Sequence, residues 1–265
     1  MAITALHTAA TGMQTLSGKI DVIANNIANA DTVGFKSSRA NFQDLLYQVR
    51  TQPGVQTSDT TTSPLGTQVG LGVALSNTQI LFRQGSTMPG TNLDASINGE
   101  GFFQIELPDG RTGYTRAGNF IRNSAGELVL GNSFGYRLKD SPTIPENTPS
   151  QQISIGSNGQ VSAPDANGTP QVLGQIQLAR FPNPSGLIQV GGNIFVESGA
   201  SGPPTEGNPA TDGLGDLLPG NLELSTTEAV TELVELIKTQ RVFQMNSQTI
   251  QTADEALQTV ANLRR

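Results

Sequence analysis

Apolar residues recur in alternating steps of three and four positions at the amino-terminal end of this 265-residue chain. Residues three and four positions apart share one face of an α-helix, so the pattern predicts one long helix with a single apolar seam. Gly34 follows the pattern and can adopt the left-handed conformation that ends helices, so we expect the helix to end near 31–34. The seam positions are Leu6, Ala9, Met13, Leu16, Ile20, Ile23, Ile27 and Ala30.

A seven-residue repeat near the other end of the chain predicts a second long helix. Ser225 followed by Glu228 is the pattern of a capping box, so we expect this helix to run from about Thr226 to about Ala261. The repeating positions are Leu236, Phe243, Ile250 and Leu257, and Asn246, Ala253 and Val260 lie three positions beyond the last three of them.

Helices in water obtain most of their stability from packing of an apolar face against a partner. Each terminal helix therefore needs the other helix, or another molecule, to cover its seam. We expect both helices to be poorly ordered in the isolated molecule and to fold when copies of the chain assemble.

Short apolar runs separated by turn residues fill the middle of the chain, which predicts an all-β domain. The clearest hairpin signals are the turns at 108–110, 123–126 and 156–159. The stretch 198–219 is rich in Gly, Pro, Asn and Ser and is expected to be a linker. The polar stretch 46–69, which contains Pro53-Gly54 and Pro64, is typical of an extended connector.

The predicted fold class is therefore mixed α and β, with long terminal helices that form a coiled-coil-like layer and a central all-β domain. The expected organisation is an amino-terminal helix in 1–36, an extended connector in 37–69, the all-β domain with its terminal linker in 70–220, and a carboxy-terminal helix in 221–265.

The residue types that catalysis and metal binding require are scarce in this chain. It has no cysteine and only one histidine, His7, so neither a zinc site nor a Ser–His arrangement can be recognised. Gly99-Glu100-Gly101 lacks the further glycine of a phosphate-binding loop and is interpreted as a turn at a strand end. The carboxylates near loops show no glycosidase arrangement. We therefore expect no catalytic, cofactor-binding or metal-binding residues and no cofactor.

The charge and hydropathy of the chain argue against nucleic acid and membranes as partners. The net charge is −7, without a basic patch, so nucleic acid is not expected to bind. No apolar run approaches the length of a membrane span, and the first residues lack the pattern of a secretory signal peptide. Only 14% of residues are charged, which favours a surface that is buried against copies of itself, although an ordinary extracellular β domain fits the composition equally well.

A cluster of Asn25, Asn26, Asn29 and Asp31 lies near the expected end of the first helix. Asparagine is a poor residue for helix interiors. Two interpretations remain open: the side chains bond to neighbouring backbone or to another chain, or they help to terminate the helix.

The stretch 24–36, ANNIANADTVGFK, resembles the amino-terminal signature shared by flagellar rod, hook and hook-associated proteins. The block 228–265 resembles the matching carboxy-terminal signature, and 97–104, 107–110 and 114–120 resemble the β domain of rod and hook proteins. The signature residues in this chain are Asn25, Asn26, Asn29, Asp31, Gly34, Phe35 and Lys36.

The resemblance implies a structural subunit of a helical tube and not an enzyme. The terminal helices would line an inner layer and the β domains would lie outside. The implied partners are other copies of the chain, proximal rod and hook proteins, and surrounding ring or bushing proteins, without nucleic acid or membrane insertion. The subunit contacts would involve Leu6, Met13, Leu16, Ile20, Ile23, Ile27, Leu236, Phe243, Ile250, Leu257 and Val260.

The resemblance also implies export through the flagellar secretion apparatus, without a cleaved signal peptide, into a rod that spans the periplasm. The stretch from Leu46 to Gly72 resembles that of a distal rod subunit, and the alternatives are a hook subunit or a proximal rod subunit. A peptidoglycan-binding or hydrolytic β domain would require a carboxylate site, and a secreted β adhesin would not require heptads at both ends.

Overall fold

The computed structural model describes residues 2–54, 56–58, 61–62, 64–145, 148–149, 152–165 and 169–263. Two compact units are built from interleaved stretches of the chain. The helical unit contains the described parts of 1–28, 38–79 and 229–265, and the β-rich unit contains those of 29–37 and 80–228. The chain therefore passes from one unit to the other four times.

Two long α-helices pack along each other in the helical unit: α1, Ala2–Ala28, and α2, Ala229–Leu263. α1 ends a few residues before the expected 31–34. α2 begins at Ala229 and not at Thr226, so the expected capping box is wrong. The Ser225 hydroxyl instead accepts a hydrogen bond from Thr227 N at 3.1 Å, which forms a turn ahead of the helix.

Six strands complete the helical unit: β1 Ser38–Asp44, β2 Tyr47–Thr51, β3 Gln56–Ser58, β4 Thr61–Thr62, β5 Thr67–Gly70 and β6 Val73–Ile80. β1 pairs with β6, β2 with β5 and β3 with β4, as successive parts of one long hairpin. The stretch 37–69, expected to be an extended connector, is thus largely paired strand, because its backbone groups bond across the hairpin.

Fifteen strands are described in the β-rich unit: β7 Thr87–Pro89, β8 Ala95–Asn98, β9 Phe102–Glu106, β10 Thr112–Thr115, β11 Phe120–Arg122, β12 Leu128–Leu130, β13 Ser154–Ile155, β14 Gln160–Pro164, β15 Pro170–Gln175, β16 Leu178–Arg180, β17 Ile188–Gly191, β18 Ile194–Val196, β19 Thr205–Gly207, β20 Asp216–Pro219 and β21 Asn221–Glu223. The largest sheet has the order β17-β18-β10-β9-β16-β19, and β13, β14 and β15 form a second sheet. β11 pairs with β12, β20 with β8, and β21 with β7.

The structure contains hairpins at the three predicted turns. β9 pairs with β10, β11 with β12, and β13 with β14, all antiparallel. Gly110, Gly126 and Gly159 adopt the positive φ values of 81°, 82° and 82° that such turns favour in glycine. The linker expected over 198–219 is not a simple loop, because β19 and β20 lie within it and pair with β16 and β8.

Two apolar clusters form the core of the β-rich unit. The larger cluster includes Phe103 and Phe120, whose ring centroids lie 5.0 Å apart in an edge-to-face arrangement. The smaller cluster is rich in aromatic rings, and Tyr114 contacts Phe181 there at 4.7 Å between centroids. The expected class, terminal helices with a β-rich centre, is confirmed.

The buried aromatic pair gives a test of this core. Phe103 is fully buried, so Phe103→Ala should lower the free energy of unfolding of the β-rich unit by about 3–5 kcal/mol. Ile121→Ala, at a side chain that is 52% exposed, is the matched control and should cost less than about 1 kcal/mol. Urea unfolding followed by circular dichroism measures both variants, and equal losses would contradict the assignment of the core.

Candidate assembly site

Asn26 lies in the last turns of α1 and is only 2% exposed. Its amide Nδ2 donates to Ser38 O at 2.9 Å, and its Oδ1 accepts from Ser38 N at 2.9 Å. The same Nδ2 lies 3.1 Å from Glu232 Oε1 on α2. One amide therefore ties the end of α1, the start of β1 and the second helix together within the helical unit.

The two interpretations of the asparagine cluster apply to different members. Asn26 bonds to backbone, although twelve residues along the chain and not to an adjacent residue. Asn29 has the helix-ending role, since its backbone carbonyl accepts from Thr32 N at 3.2 Å and its Oδ1 accepts from Thr32 Oγ1 at 3.1 Å. Asn25 and Asp31 are exposed.

Gly34 is the glycine of the signature, and both its backbone conformation and the atoms around it require glycine at this position. Its φ is +70°, in the left-handed region. A Cβ at this position would lie 2.6 Å from Ala117 N, so any other residue would collide with backbone. Phe35, the next residue, is buried at 7% exposure. The part of the signature at Gly34 and Phe35 is therefore closely packed within the β-rich unit.

Lys36, the last residue of the signature, is 1% exposed and paired with an equally buried acid. Its Nζ donates to Glu223 Oε1 at 2.6 Å and to Arg83 O at 2.5 Å. Burial lowers the pKa of Lys36, whereas the Glu223 carboxylate acts in the opposite direction. The sequence did not single out Glu223, because nothing in the local pattern marks a partner 187 positions away.

The predicted helix seam is only partly covered within the chain. Among its residues Ile23 is buried, Leu257 is 39% exposed, and the side chain of Val260 lies outside the described residues. The other predicted contact residues are half-buried: Leu6, Met13, Leu16, Ile20, Ile27, Leu236, Phe243 and Ile250.

The buried positions of α1 overlap the predicted seam only at Ala9 and Ile23. The other three buried residues, Gly12, Thr15 and Asn26, are small or polar and lie outside the seam. Small residues let the helices approach closely, and a Cβ on Gly12 would lie 2.9 Å from Asn246 Nδ2. Lys19 on α1 forms an ion pair with Glu235 on α2. These polar contacts could not be predicted from the sequence, because apolar periodicity does not mark them.

The two carboxylates of α2 near Lys19 experience different surroundings. Burial raises the pKa of Glu232, and the hydrogen bond from Lys19 lowers the pKa of Glu235. A further negative charge close to Glu232, which accepts from Asn26, would therefore be more unfavourable than one close to Glu235.

An exposed apolar stripe runs along the first turns of α2. Its members lie at i, i+3, i+4 and i+7, which places them on one helix face. They are Val230 at 74%, Leu233 at 47%, Val234 at 61% and Ile237 at 52% exposure. A second exposed apolar group lies midway along the long hairpin, where β2 begins, with Leu46 at 83%, Tyr47 at 55% and Val49 at 47%. Such surfaces typically mark contacts with other proteins.

Three family descriptions match successive parts of the chain. Residues 6–36 match "Flagella basal body rod protein", 96–163 match "Flagellar hook protein FlgE/F/G D1 domain", and 218–263 match "Flagellar basal body rod FlgEFG protein C-terminal". The matches include the signature segment, the central strands and α2, so they define an axial protein of the flagellar rod and hook class.

Relatives that match this chain over nearly its whole length are rod proteins of the flagellar basal body. The chain is 45% identical to the flagellar basal-body rod protein FlgG of Caulobacter vibrioides, over 98% of this chain and 99% of that protein. It is 43% identical to FlgG of Borreliella burgdorferi and 40% identical to FlgG of Bacillus subtilis, each over 98% of both chains. The chain therefore belongs to the flagellar basal-body rod protein family.

Membership of this family confirms the expectation of a structural rod protein and not an enzyme, because these relatives are rod proteins of the basal body. Across the ranges that the structure describes, no cluster of three or more His, Asp or Glu side chains could hold a metal ion. No helix in those ranges combines the length and hydropathy needed to cross a bilayer.

The Asn26 amide makes a direct test of the site. Asn26→Asp removes the donor to Ser38 O and faces a carboxylate toward Glu232, so it should destabilise the helical unit by about 1–3 kcal/mol. The deficit should shrink as the pH falls toward about 4, since protonating either carboxyl removes the repulsion and restores a donor.

Gln14→Glu, the same amide-to-acid change at an exposed position of α1, is the control and should leave stability nearly unchanged. Both variants are measured by urea unfolding with helix content as the signal. A loss for Asn26→Asp no larger than that for Gln14→Glu would contradict the role assigned to Asn26.

Proposed function

We propose that this chain is the distal rod subunit of a bacterial flagellum, and that many copies polymerise into a rigid helical tube. The tube would transmit motor torque through the periplasm to the hook and conduct exported subunits. The proposal is supported by full-length identity of 40–45% to FlgG proteins. The observation that carries it is the exposed apolar face of α2, which a lone molecule leaves open to water.

The terminal helices would form the inner, coiled-coil-like layer of the tube. The half-buried seam of α1 and the exposed stripe at 230–237 would be covered by helices of neighbouring copies. In this assembly α1 and α2 would form the core layer, and the β-rich unit would form the outer domain. The expected boundaries of the helical segments, 1–36 and 221–265, are too wide, because 29–37 and 221–228 belong to the β-rich unit. Burial of side chains such as Val230 and Val234 gains about 1.5–3 kcal/mol each at full coverage, which favours association.

The outer part of the long hairpin, 46–71, which lies beyond the β1–β6 pair, would stiffen the tube by bridging adjacent copies. Its base carries exposed apolar side chains, and its strands β2 and β5 form an isolated pair, which is only marginally stable in water. A neighbouring copy would hold the hairpin in place. The hairpin also distinguishes the proposed rod subunit from a hook subunit, because a hook subunit would form a more flexible polymer.

The further partners in the proposal are the proximal rod proteins on one side, the hook proteins on the other, and the ring or bushing proteins that surround the rod. Export through the flagellar secretion apparatus without a cleaved signal peptide belongs to the same proposal. It is supported by the absence of cysteine, since the chain needs no disulfide formation after export.

The helices should gain order on assembly. Amide hydrogen exchange in α1 and α2 should be at least about tenfold slower in the polymer than in the isolated chain, because neighbouring copies cover the seam and the stripe. Strands β9 and β10 serve as the internal reference, since their exchange should not change. Equal protection of both helices in the isolated chain would contradict folding on assembly.

The hairpin can be removed without displacing its flanks. Leu45 N donates to Gly72 O at 2.9 Å and Leu71 N donates to Leu46 O at 3.2 Å, so the two strands already lie side by side at its base. Replacing 47–70 with Asn-Gly should leave the chain able to polymerise but give a curved, flexible tube, measured as a shorter persistence length in electron micrographs.

A point variant separates the apolar contact from the hairpin itself. Leu46→Ser should give an intermediate stiffness, whereas Ile121→Ser, at an exposed apolar residue outside the hairpin, should give the original straight tube. Tubes of unchanged stiffness after the 47–70 replacement would show that the hairpin does not stiffen the rod.

A further inference from the structure

Three stretches of chain that connect to the helical unit meet inside the β-rich unit. They are 29–37, 80–86 and 223–228, at the ends of the two segments that make up this unit. Backbone hydrogen bonds join them: Leu81 N donates to Ser37 O at 2.9 Å, Leu224 N to Ser86 O at 2.8 Å, and Thr226 N to Phe35 O at 3.1 Å. Each stretch is thereby bonded to both of the others.

Glu223 lies at the centre of this meeting point and is fully buried. Its backbone carbonyl accepts from Gly34 N at 2.8 Å. Its Oε1 accepts from Lys36 Nζ at 2.6 Å and from Gly85 N at 2.8 Å. A single residue of the third stretch therefore bonds to both the first and the second.

Lys36 makes the complementary set of bonds from the first stretch. Its ammonium group donates to Glu223 and also to Arg83 O in the second stretch, at 2.5 Å. Arg116, 5% exposed, lies beside the pair, with Nη1 3.6 Å from Glu223 Oε2 and Nη2 donating to Gly99 O at 2.7 Å. The carboxylate is thus enclosed by two cations and a backbone amide.

The ion pair between Lys36 and Glu223 depends on the orientation of its two groups, whereas an apolar contact does not. Removing one buried charge leaves the other without compensation, so the pair resists separation strongly. Apolar side chains at the same place would tolerate sliding of the stretches past one another. Hydrogen bonds of fixed geometry hold the stretches at one register.

We propose that Lys36 and Glu223 act as a fastener that holds the three connecting stretches together, so that load carried by the chain does not shear them apart. The fastener is local: it secures the connections and is separate from the apolar clusters that fold the strands. Lys36 and Glu223 are positioning residues in this role, because their hydrogen bonds fix the backbone of the three stretches.

Hydrogen exchange on the full-length chain tests the proposal. Lys36→Met keeps the length of the side chain and removes its charge. Exchange in 33–37, 81–86 and 223–226 should accelerate about tenfold or more, and exchange in β9 and β10 should not change. Lys139→Met, which breaks the more exposed ion pair with Glu206 in the same unit, is the control and should leave all three stretches protected.

Two results would overturn the proposal: unchanged protection of the three stretches, or equal acceleration in β9 and β10, which would make the pair a general stabiliser of the unit. If Lys36→Met does not fold, Lys36→Met with Glu223→Gln removes both charges and is measured in the same way. Failure of that double variant to fold would also contradict a local role.

A second readout rests on the proposed function. Cells whose rod carries Lys36→Met should swim normally in dilute medium and lose speed in viscous medium, where the load on the rod is higher. If the chain were not a subunit of the flagellar axis, deleting it would leave swimming unchanged, while the exchange result would still decide the role of Lys36 and Glu223.

Discussion

The buried ion pair between Lys36 and Glu223 is the interaction on which the arrangement of the chain depends. The two residues lie 187 positions apart, yet their charges are acceptable in the interior only when they meet. Their meeting brings together the stretches by which the chain enters and leaves the β-rich unit. Gly34 belongs to the same junction, since its backbone N–H donates to Glu223 O and the surrounding backbone leaves no room for a side chain.

The second constraint is the surface that the chain leaves uncovered. α1 and α2 pack through small and polar residues, with Asn26, Lys19 and their carboxylate partners at the contact, and this leaves much of the apolar seam half-exposed. The stripe at 230–237 is more exposed still. In the proposed assembly, neighbouring copies of the chain would cover these apolar surfaces.

Patterns within a few neighbouring residues could be predicted from the sequence, and contacts between distant residues could not. Both helices and three hairpins follow from apolar periodicity and turn residues, and the signature at 24–36 indicated the family. The partner of Lys36, the amide contacts of Asn26 and the strands β19 and β20 depend on the tertiary fold. The predicted start of α2 was wrong because Ser225 lies in a turn ahead of the helix, where its hydroxyl accepts from Thr227 N.

The central claim is that the uncovered helix surfaces face other copies of the chain inside a rigid tube. Helical reconstruction of the polymer by electron cryomicroscopy tests it most directly. We expect Val230, Leu233, Val234 and Ile237 to contact helices of adjacent subunits in an inner layer, and each subunit to keep its own Lys36–Glu223 pair. A tube in which these side chains face solvent, or in which the helices lie on the outside, would contradict it.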